Sequence, residues 1–338
     1  MLRVSYQDLF EALQHALLNL GFEAGRARRC AQLFAESSRD GVYSHGLNRF
    51  PRFLAMIQSG LIDIHAQPEL LTSSGAMRSG PMERWDGKIG PGNLNAWHCM
   101  ERAIALSREH GIGCVALANT NHWMRGGSYG WQAADAGVIG ICWTNTLPNL
   151  PPWGASDPRV GNNPFVIAVP RPAGHVVLDM AMSQFSYGAL ASYRMRGELL
   201  PVDGGFDTEG NLTRDPGAIE DSNRPLPIGF WKGSGLALML DLLAALLSGG
   251  KASYQIEPIP ERETRVSQVF IAIDPSSVDS LAVTSRVADQ IVEHFQLPPH
   301  STGERVRYPG YRVLKTREEH LANGIPVEPS IWQQLHSL

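Results

Sequence analysis

Asn93-LNAWHCMERAIALSREHGIGCVALANTNHWMRGGSYGWQAADAGVIGICW-Thr144 is the stretch whose reading decides the fold. Asn93 to His110 reads as a helix closed by Gly111, and Ile112 to Ala118 as an apolar strand. Ser128 to Ala136 is a second helix, closed by Gly137, and Val138 to Thr144 a second strand. Helix, strand, helix, strand in this order predicts an α/β chain with at least one parallel βαβ unit. The loop Asn119–Gly127 leaves the carboxyl end of the first strand, and Asn145 and Thr146 leave that of the second. Ligands collect at such strand ends, so His122 becomes a pocket candidate. A structural histidine bonding its own loop is an equal alternative. Gly111-Ile-Gly113-Cys-Val-Ala116 imitates a dinucleotide fingerprint, but its helix comes before and its strand after. That is the reverse of the required context.

Outward toward the N-terminus, Ser5 caps a helix with Asp8 three residues on. Leu9, Leu13, Ala16, Leu17 and Leu20 recur at helical spacing until Gly21. A second helix runs from Ala24 to about Ser37, and a third from Phe50 to Gln58 with Asn48 as its cap and Pro51 in its first turn. Toward the C-terminus, Val166–Val169 and Val176–Met180 form a hairpin or neighbouring strands. Pro201 to Pro227 reads as surface loop. Leu236–Leu247 is nearly all apolar, which predicts a helix either deeply buried or at a subunit interface. Val269–Ile273 is a strand, Ser285–Phe295 an amphipathic helix, and Thr316–Asn323 and Ile331–Leu335 short helices. The expected organisation is a helical segment over 1–72, a mixed-sheet core over 73–280, and a helical segment over 281–338 packing back on the first.

Composition narrows the function classes. The chain has 338 residues and a formal net charge of −4. Its densest basic cluster, Gly25-RARR-Cys30, reads as a solvated helix face and not as a nucleic-acid patch. Cys30, Cys99, Cys114 and Cys142 form no CxxC pair and read as reduced thiols of a cytoplasmic protein. No secretion signal is expected, and the apolar run through Asp241 is too short to span a bilayer. His110, His294, His300, His320 and His336 are scattered and expected to be exposed, and no metal site is expected. Trp123, Trp131, Trp143, Trp153 and Trp231 are expected in the core or an interface.

Two further stretches carry chemistry. In Asp40-GVYSHGLNRFPR-Phe53, His45 stands four residues before Arg49. An imidazole that titrates near neutral pH can move a proton, and a guanidinium can hold a carboxylate by two parallel bonds. Together they suggest a site for an α-keto or α-hydroxy acid, whereas Arg52 reads as a surface residue. In Trp231-KGS-Gly235, Lys232 offers a cation where a helix begins and glycines permit close approach, which suits an anionic group. A capped buried helix with a chance lysine is the equal alternative.

The wording of Asp40–Phe53 resembles the malate/L-lactate dehydrogenase family that lacks a Rossmann fold. Asn119-TNHWMRGGSYGWQAAD-Ala136, Gly140-ICWTNTLPNLPPWG-Ala155, Val177-LDMAMSQFSYG-Ala189, Leu200-PVDGGFDTEGNLTRDPGAI-Glu220 and Leu226-PIGFWKGSG-Leu236 carry the same resemblance over roughly two thirds of the chain. It implies an α/β fold of the L-sulfolactate/malate dehydrogenase type, with a mixed sheet flanked by helical ends, and a homodimer with cofactor near the subunit boundary. It implies His45 as proton donor, Arg49 as carboxylate clamp, and a pocket role for His122. It implies cofactor contacts from Val177, Leu178, Asp179, Met180, Ala181, Met182 and Ser183, from Trp231 and Lys232, and from Gly310, Tyr311 and Arg312. The family carries histidine or glutamate after that last glycine, so Tyr311 and Arg312 depart from it. The implied reaction is reduction of a 2-keto sugar acid by NADH, with NADPH possible and 2,3-diketo-L-gulonate as the single best substrate. Alternatives are a malate, lactate or ureidoglycolate dehydrogenase, a cyclic ketimine reductase, or a sugar-acid binding protein without activity. No nucleic-acid or membrane partner is expected.

Overall fold

The computed structural model describes residues 2–71, 80–297 and 306–336. It opens with β1 (Leu2–Val4), α1 (Tyr6–Asn19), α2 (Ala24–Arg39) and α3 (Phe50–Gln58). The Ser5 hydroxyl accepts the Asp8 amide at 3.0 Å, which starts α1 as the capping spacing predicts. The buried stripe Leu9, Leu13, Ala16 and Leu17 packs in one core with Phe34 of α2 and Phe50 and Phe53 of α3. Asn48 does not cap α3. Two short 3-10 turns, Tyr43–His45 and Leu47–Arg49, run straight into the helix and leave Arg49 at the cap position with no side-chain bond.

The middle of the chain supplies β2 (Glu69–Leu70), β3 (Met82–Asp86), α4 (Gly92–His110), β4 (Ile112–Asn121), α5 (Gly127–Asp135), β5 (Ile139–Thr144), β6 (Phe165–Val169) and β7 (Val176–Met180). Then come α6 (Tyr187–Arg196), β8 (Gly205–Phe206), β9 (Leu212–Thr213), α7 (Pro216–Ser222), α8 (Trp231–Ser248) and β10 (Thr264–Ile273). The main sheet has seven strands in the order β2-β3-β4-β10-β5-β6-β7. Its parallel βαβ unit is β3–α4–β4. β4 and β5 also point the same way but do not pair, because β10 lies between them and runs antiparallel to both. β6 and β7 form the expected antiparallel hairpin. Gly111 ends α4 in the left-handed conformation at φ 82°, a helix stop and not a phosphate turn.

Alternation along the strands fills both faces. Val115 and Leu117 pack toward Met100 of α4 and Trp131 of α5, while Ala116 packs toward Leu240 and Ala244 of α8. Trp123, Trp131 and Trp143 are buried, whereas Trp153 and Trp231 are exposed. The passage 201–227 is more ordered than its composition suggests. It holds the β8–β9 pair and α7, which Asp215 caps with Pro216 at its first position.

α8 is not deeply buried. Ala237, Leu240, Asp241 and Ala244 face the sheet, but Leu238, Met239, Leu242 and Leu246 are exposed, the last by 68%. Among the described residues it is the one helix long and apolar enough to cross a membrane. Inside the fold, its Asp241 accepts the Asn145 side-chain amide and the Ser253 backbone amide.

The chain closes with α9 (Leu281–Phe295), α10 (Tyr311–Asn323), β11 (Ile325–Val327) and α11 (Pro329–His336). β11 pairs with β1, and Val327 and Leu335 enter the α1–α3 core, so both ends of the chain share one layer. The expected boundary at 72/73 lies outside the described residues. So does His300. His320 is buried, contrary to expectation, because Arg39 O takes its Nδ1 proton at 2.7 Å and Tyr43 Oη lies 3.1 Å from Nε2. Arg26 and Arg29 are also engaged, the former on the Ile64 and Ala66 carbonyls and the latter over the Trp97 ring. The four cysteines are free, three of them buried.

Candidate active site

The sheet topology brings five strand termini to one edge. β4, β5 and β7 end there, and β6 and β10 begin there. A cavity of about 820 Å³ opens at this edge. His122 enters it one residue beyond β4, Thr146 and Leu147 just beyond β5, and Glu263 just before β10. The 3-10 turns before α3 cover it with Ser44, His45 and Arg49, and Arg52 reaches it from α3 itself. Arg52 is thus a cavity residue and not a surface one, because the helix begins two residues earlier and turns that face inward.

His45 and His122 come together in the cavity. Their rings stack with centroids 5.7 Å apart and planes 20° from parallel. The Met124 amide donates to His122 Nδ1 at 3.0 Å, so the neutral ring carries its proton on Nε2. Ser44 Oγ lies 2.9 Å from His45 Nδ1. When His45 is charged, Nδ1 donates to that hydroxyl and Nε2 is left to serve a ligand. Burial, then the charges of Arg49 and Arg125, push the His45 pKa down to about 4. Burial and Arg49, with His45 itself, hold His122 well below the ordinary histidine range.

Both imidazoles are therefore neutral at pH 7 in the open cavity. Burial is the larger cause for both, and Arg49 is the second. Its guanidinium makes no hydrogen bond or ion pair among the described residues, and burial and Arg52 lower its own pKa to about 10. The Arg52 Nε is buried with no partner. Two cations left unpaired beside a cavity are costly unless a ligand supplies the counter-charge.

Asp40 ties the two histidine loops together; it opens the quoted motif but was not singled out. It is buried and accepts bonds from Arg39 Nε at 2.8 Å and Arg125 Nη1 at 2.7 Å. Arg317 of α10 adds Nε and Nη2, at 2.9 and 2.8 Å. Burial alone would raise the Asp40 pKa, but the guanidiniums of Arg317, Arg125 and Arg39 hold it well below the carboxylate range. Arg125 stands three residues after His122 and lines the cavity, with its Nε buried and unpartnered. The signal available in the sequence was a charged residue inside each quoted motif.

The residues expected at a cofactor divide. Val177, Leu178, Asp179, Met180, Ala181 and Gly310 line the cavity. Asp179 is exposed toward the cavity, and Oδ2 accepts the Gly127 amide at 2.8 Å; the protein packed around it raises its pKa. Met182 and Ser183 lie beyond the cavity wall, buried behind it. Tyr311 and Arg312 start α10 but do not line the cavity. Trp231 and Lys232 sit on the outer surface of the single chain, away from the cavity, because the turn Gly229–Phe230 points the start of α8 outward. Arg307, Tyr308, Asn149, Asn162 and Tyr187 line the cavity without having been singled out.

The fold and this constellation define a class. The malate/L-lactate dehydrogenase family profile matches residues 4–336, and the chain belongs to that family. It is an oxidoreductase built without a Rossmann domain. Among individual proteins, the chain is 45% identical to the 2,3-diketo-L-gulonate reductase of Citrobacter koseri over 343 aligned positions, covering all of both chains. It is 46% identical to the enzyme of that name from Klebsiella pneumoniae, again over all of both. In three dimensions it is similar to the sulfolactate dehydrogenase of Methanocaldococcus jannaschii, with TM-score 0.89 and 26% identity over 99% of this chain and 95% of the other.

Proposed function

We propose that this chain reduces 2-keto sugar acids with a nicotinamide dinucleotide, with 2,3-diketo-L-gulonate as its substrate and NADH preferred to NADPH. The single observation that carries the reading is the unpaired Arg49 guanidinium facing a cavity beside two neutral, stacked imidazoles. The full-length likeness to proteins named 2,3-diketo-L-gulonate reductase supports the substrate.

The cavity suits a dinucleotide. The Val177–Ala181 backbone forms one wall, and Gly310, at φ 94°, lies so close that a Cβ would meet Val177 N at 3.1 Å. α10 starts at Gly310 with no side-chain cap, so its free amides and positive dipole end favour an anion. Arg125 Nε and Arg307 add positive charge on the same wall. Val177–Ala181, Gly310 and Arg125 would hold the cofactor, which supplies hydride when bound.

The chain's own residues do the rest. Arg49 takes the substrate carboxylate in a forked pair, which offsets one of the charges that, after burial, hold the His45 pKa down. His45 then accepts a proton, donates Nδ1–H to Ser44, and holds its Nε2 proton for the oxygen that becomes an alkoxide. His122, with Nε2–H pointing away from its Met124 bond, steadies the same oxygen by a second donor.

We further propose a cytoplasmic homodimer in which the exposed apolar face of α8 is covered by a second copy. Lys232, at the start of that helix, would then stand at the subunit boundary. The test of function is a panel of 2-keto acids and cyclic imines with NADH and with NADPH, followed by loss of nicotinamide absorbance. Turnover highest with 2,3-diketo-L-gulonate and NADH supports the reading. Turnover confined to cyclic imines, or ligand binding without turnover, overturns it.

A further inference from the structure

Glu263 is a carboxylate in the wall of a cavity that recruits carboxylates, and neither the reduction chemistry nor the cofactor uses it. It sits between the turn Pro260–Arg262 and the first residue of β10, so the antiparallel course of β10 delivers it to the edge where β5 ends. The Leu147 amide fixes it by donating to Oε1 at 3.1 Å. Oε2 has no hydrogen-bond partner among the described residues. Arg49 and Arg52 act on Glu263 electrostatically, yet among the described residues neither forms an ion pair with it.

That separation matters. A carboxylate serving only to neutralise the arginines would close onto one of them, since an unpaired buried charge is costly. Here the three groups are held apart around open space. Burial raises the Glu263 pKa, while the Leu147 amide and the Arg49 and Arg52 guanidiniums pull it down. A ligand with two carboxylates would set its second one against the Glu263 carboxyl group, where like charges repel. Beside it, Thr146, Asn149 and Asn162 form a polar wall bonded among themselves, with Thr146 Oγ1 donating to Asn162 Oδ1 at 3.1 Å. Hydroxyl groups find donors and acceptors on such a wall, whereas a methyl group finds none.

We infer that Glu263 determines specificity at the keto-acid site, accepting a hydrogen bond from a hydroxyl of a polyhydroxylated 2-keto monocarboxylate and rejecting 2-keto dicarboxylates. This inference deepens the proposed function and rests on it. The site filters by like-charge repulsion at Glu263, and its preferred ligand carries one carboxylate and a neutral polar tail.

Glu263→Gln keeps the shape and the acceptor oxygen while removing the charge. The discriminating quantity is kcat/KM for oxaloacetate divided by kcat/KM for pyruvate. Glu263→Gln should raise this ratio about tenfold or more, because one like-charge contact is removed. Glu263→Ala should raise it as well, and should in addition raise KM for 2,3-diketo-L-gulonate. A ratio in Glu263→Gln within twofold of the parent's overturns the inference. Calorimetric titration of malonate and acetate into parent and variant reads the same filter without turnover. If the parent reduces no keto acid, the functional reading fails; malonate binding that tightens in the variant would then still uphold the charge filter, and unchanged malonate binding would overturn it too.

Discussion

Arg49 and His45 stand four residues apart, and one acts on the other through charge. The site holds His45 near pKa 4 because it is desolvated and faces Arg49. A carboxylate bound to Arg49 reverses the second cause, so binding should take up a proton between about pH 5 and 7. Titration of a keto-acid analogue in buffers of different ionisation enthalpy checks this, and uptake should vanish in His45→Gln. The same shift has a stability consequence. His45 binds its proton in the unfolded chain near pH 6.5 but in the folded chain only near 4. Its contribution is therefore fully present above pH 6.5 and is lost as pH falls toward 4. That shift is worth roughly 3 kcal/mol, and His122 acts with the same sign. Denaturant midpoints should fall across this window, less steeply for His45→Gln. Arg49→Lys keeps a charge but loses the fork, so it should raise KM by about tenfold or more with a smaller change in kcat.

At the scale of elements, Asp40 joins the His45 turn, the His122 loop and α10 through three arginines. Asp40→Asn leaves those cations without their counter-charge. Chemical denaturation should show a loss of about 3–5 kcal/mol. α8 makes a different prediction. Its exposed Leu238, Met239, Leu242 and Leu246 need a cover, and light scattering at micromolar concentration should return a dimer mass. Leu242→Glu should shift the mass toward the monomer. Most helices and five of the eleven strands among the described residues were legible in the sequence because caps and periodicity are local signals, as at Ser5, Gly111 and the Val166–Met180 hairpin. β1 and β3 were not, because each is short and gains its pairing from distant residues: β1 from β11, and β3 from β4 across α4. For α8 the sequence left burial and an interface both open, since an apolar helix does not say whether its partner is its own sheet or another chain; the structure rules out deep burial within the single chain.

Across the whole molecule, the site exists because a late strand, β10, inserts between β4 and β5 and turns five strand ends toward one cavity. The sequence order of helices and strands indicated an α/β chain and the loops that would carry ligands, but not that insertion. His45, Arg49 and His122 were legible because short motifs name reactive side chains. Glu263, Arg52 and Asp40 were not, because their roles come from what the fold sets beside them. On the proposed function, one cavity holds cofactor and keto acid while His45 supplies the proton. The decisive measurement is His45→Gln assayed with 2,3-diketo-L-gulonate and NADH beside a calorimetric titration of NADH. Its kcat should fall by roughly 10²–10⁴ with cofactor affinity unchanged. A variant that turns over at a near-normal rate while binding NADH normally would contradict it.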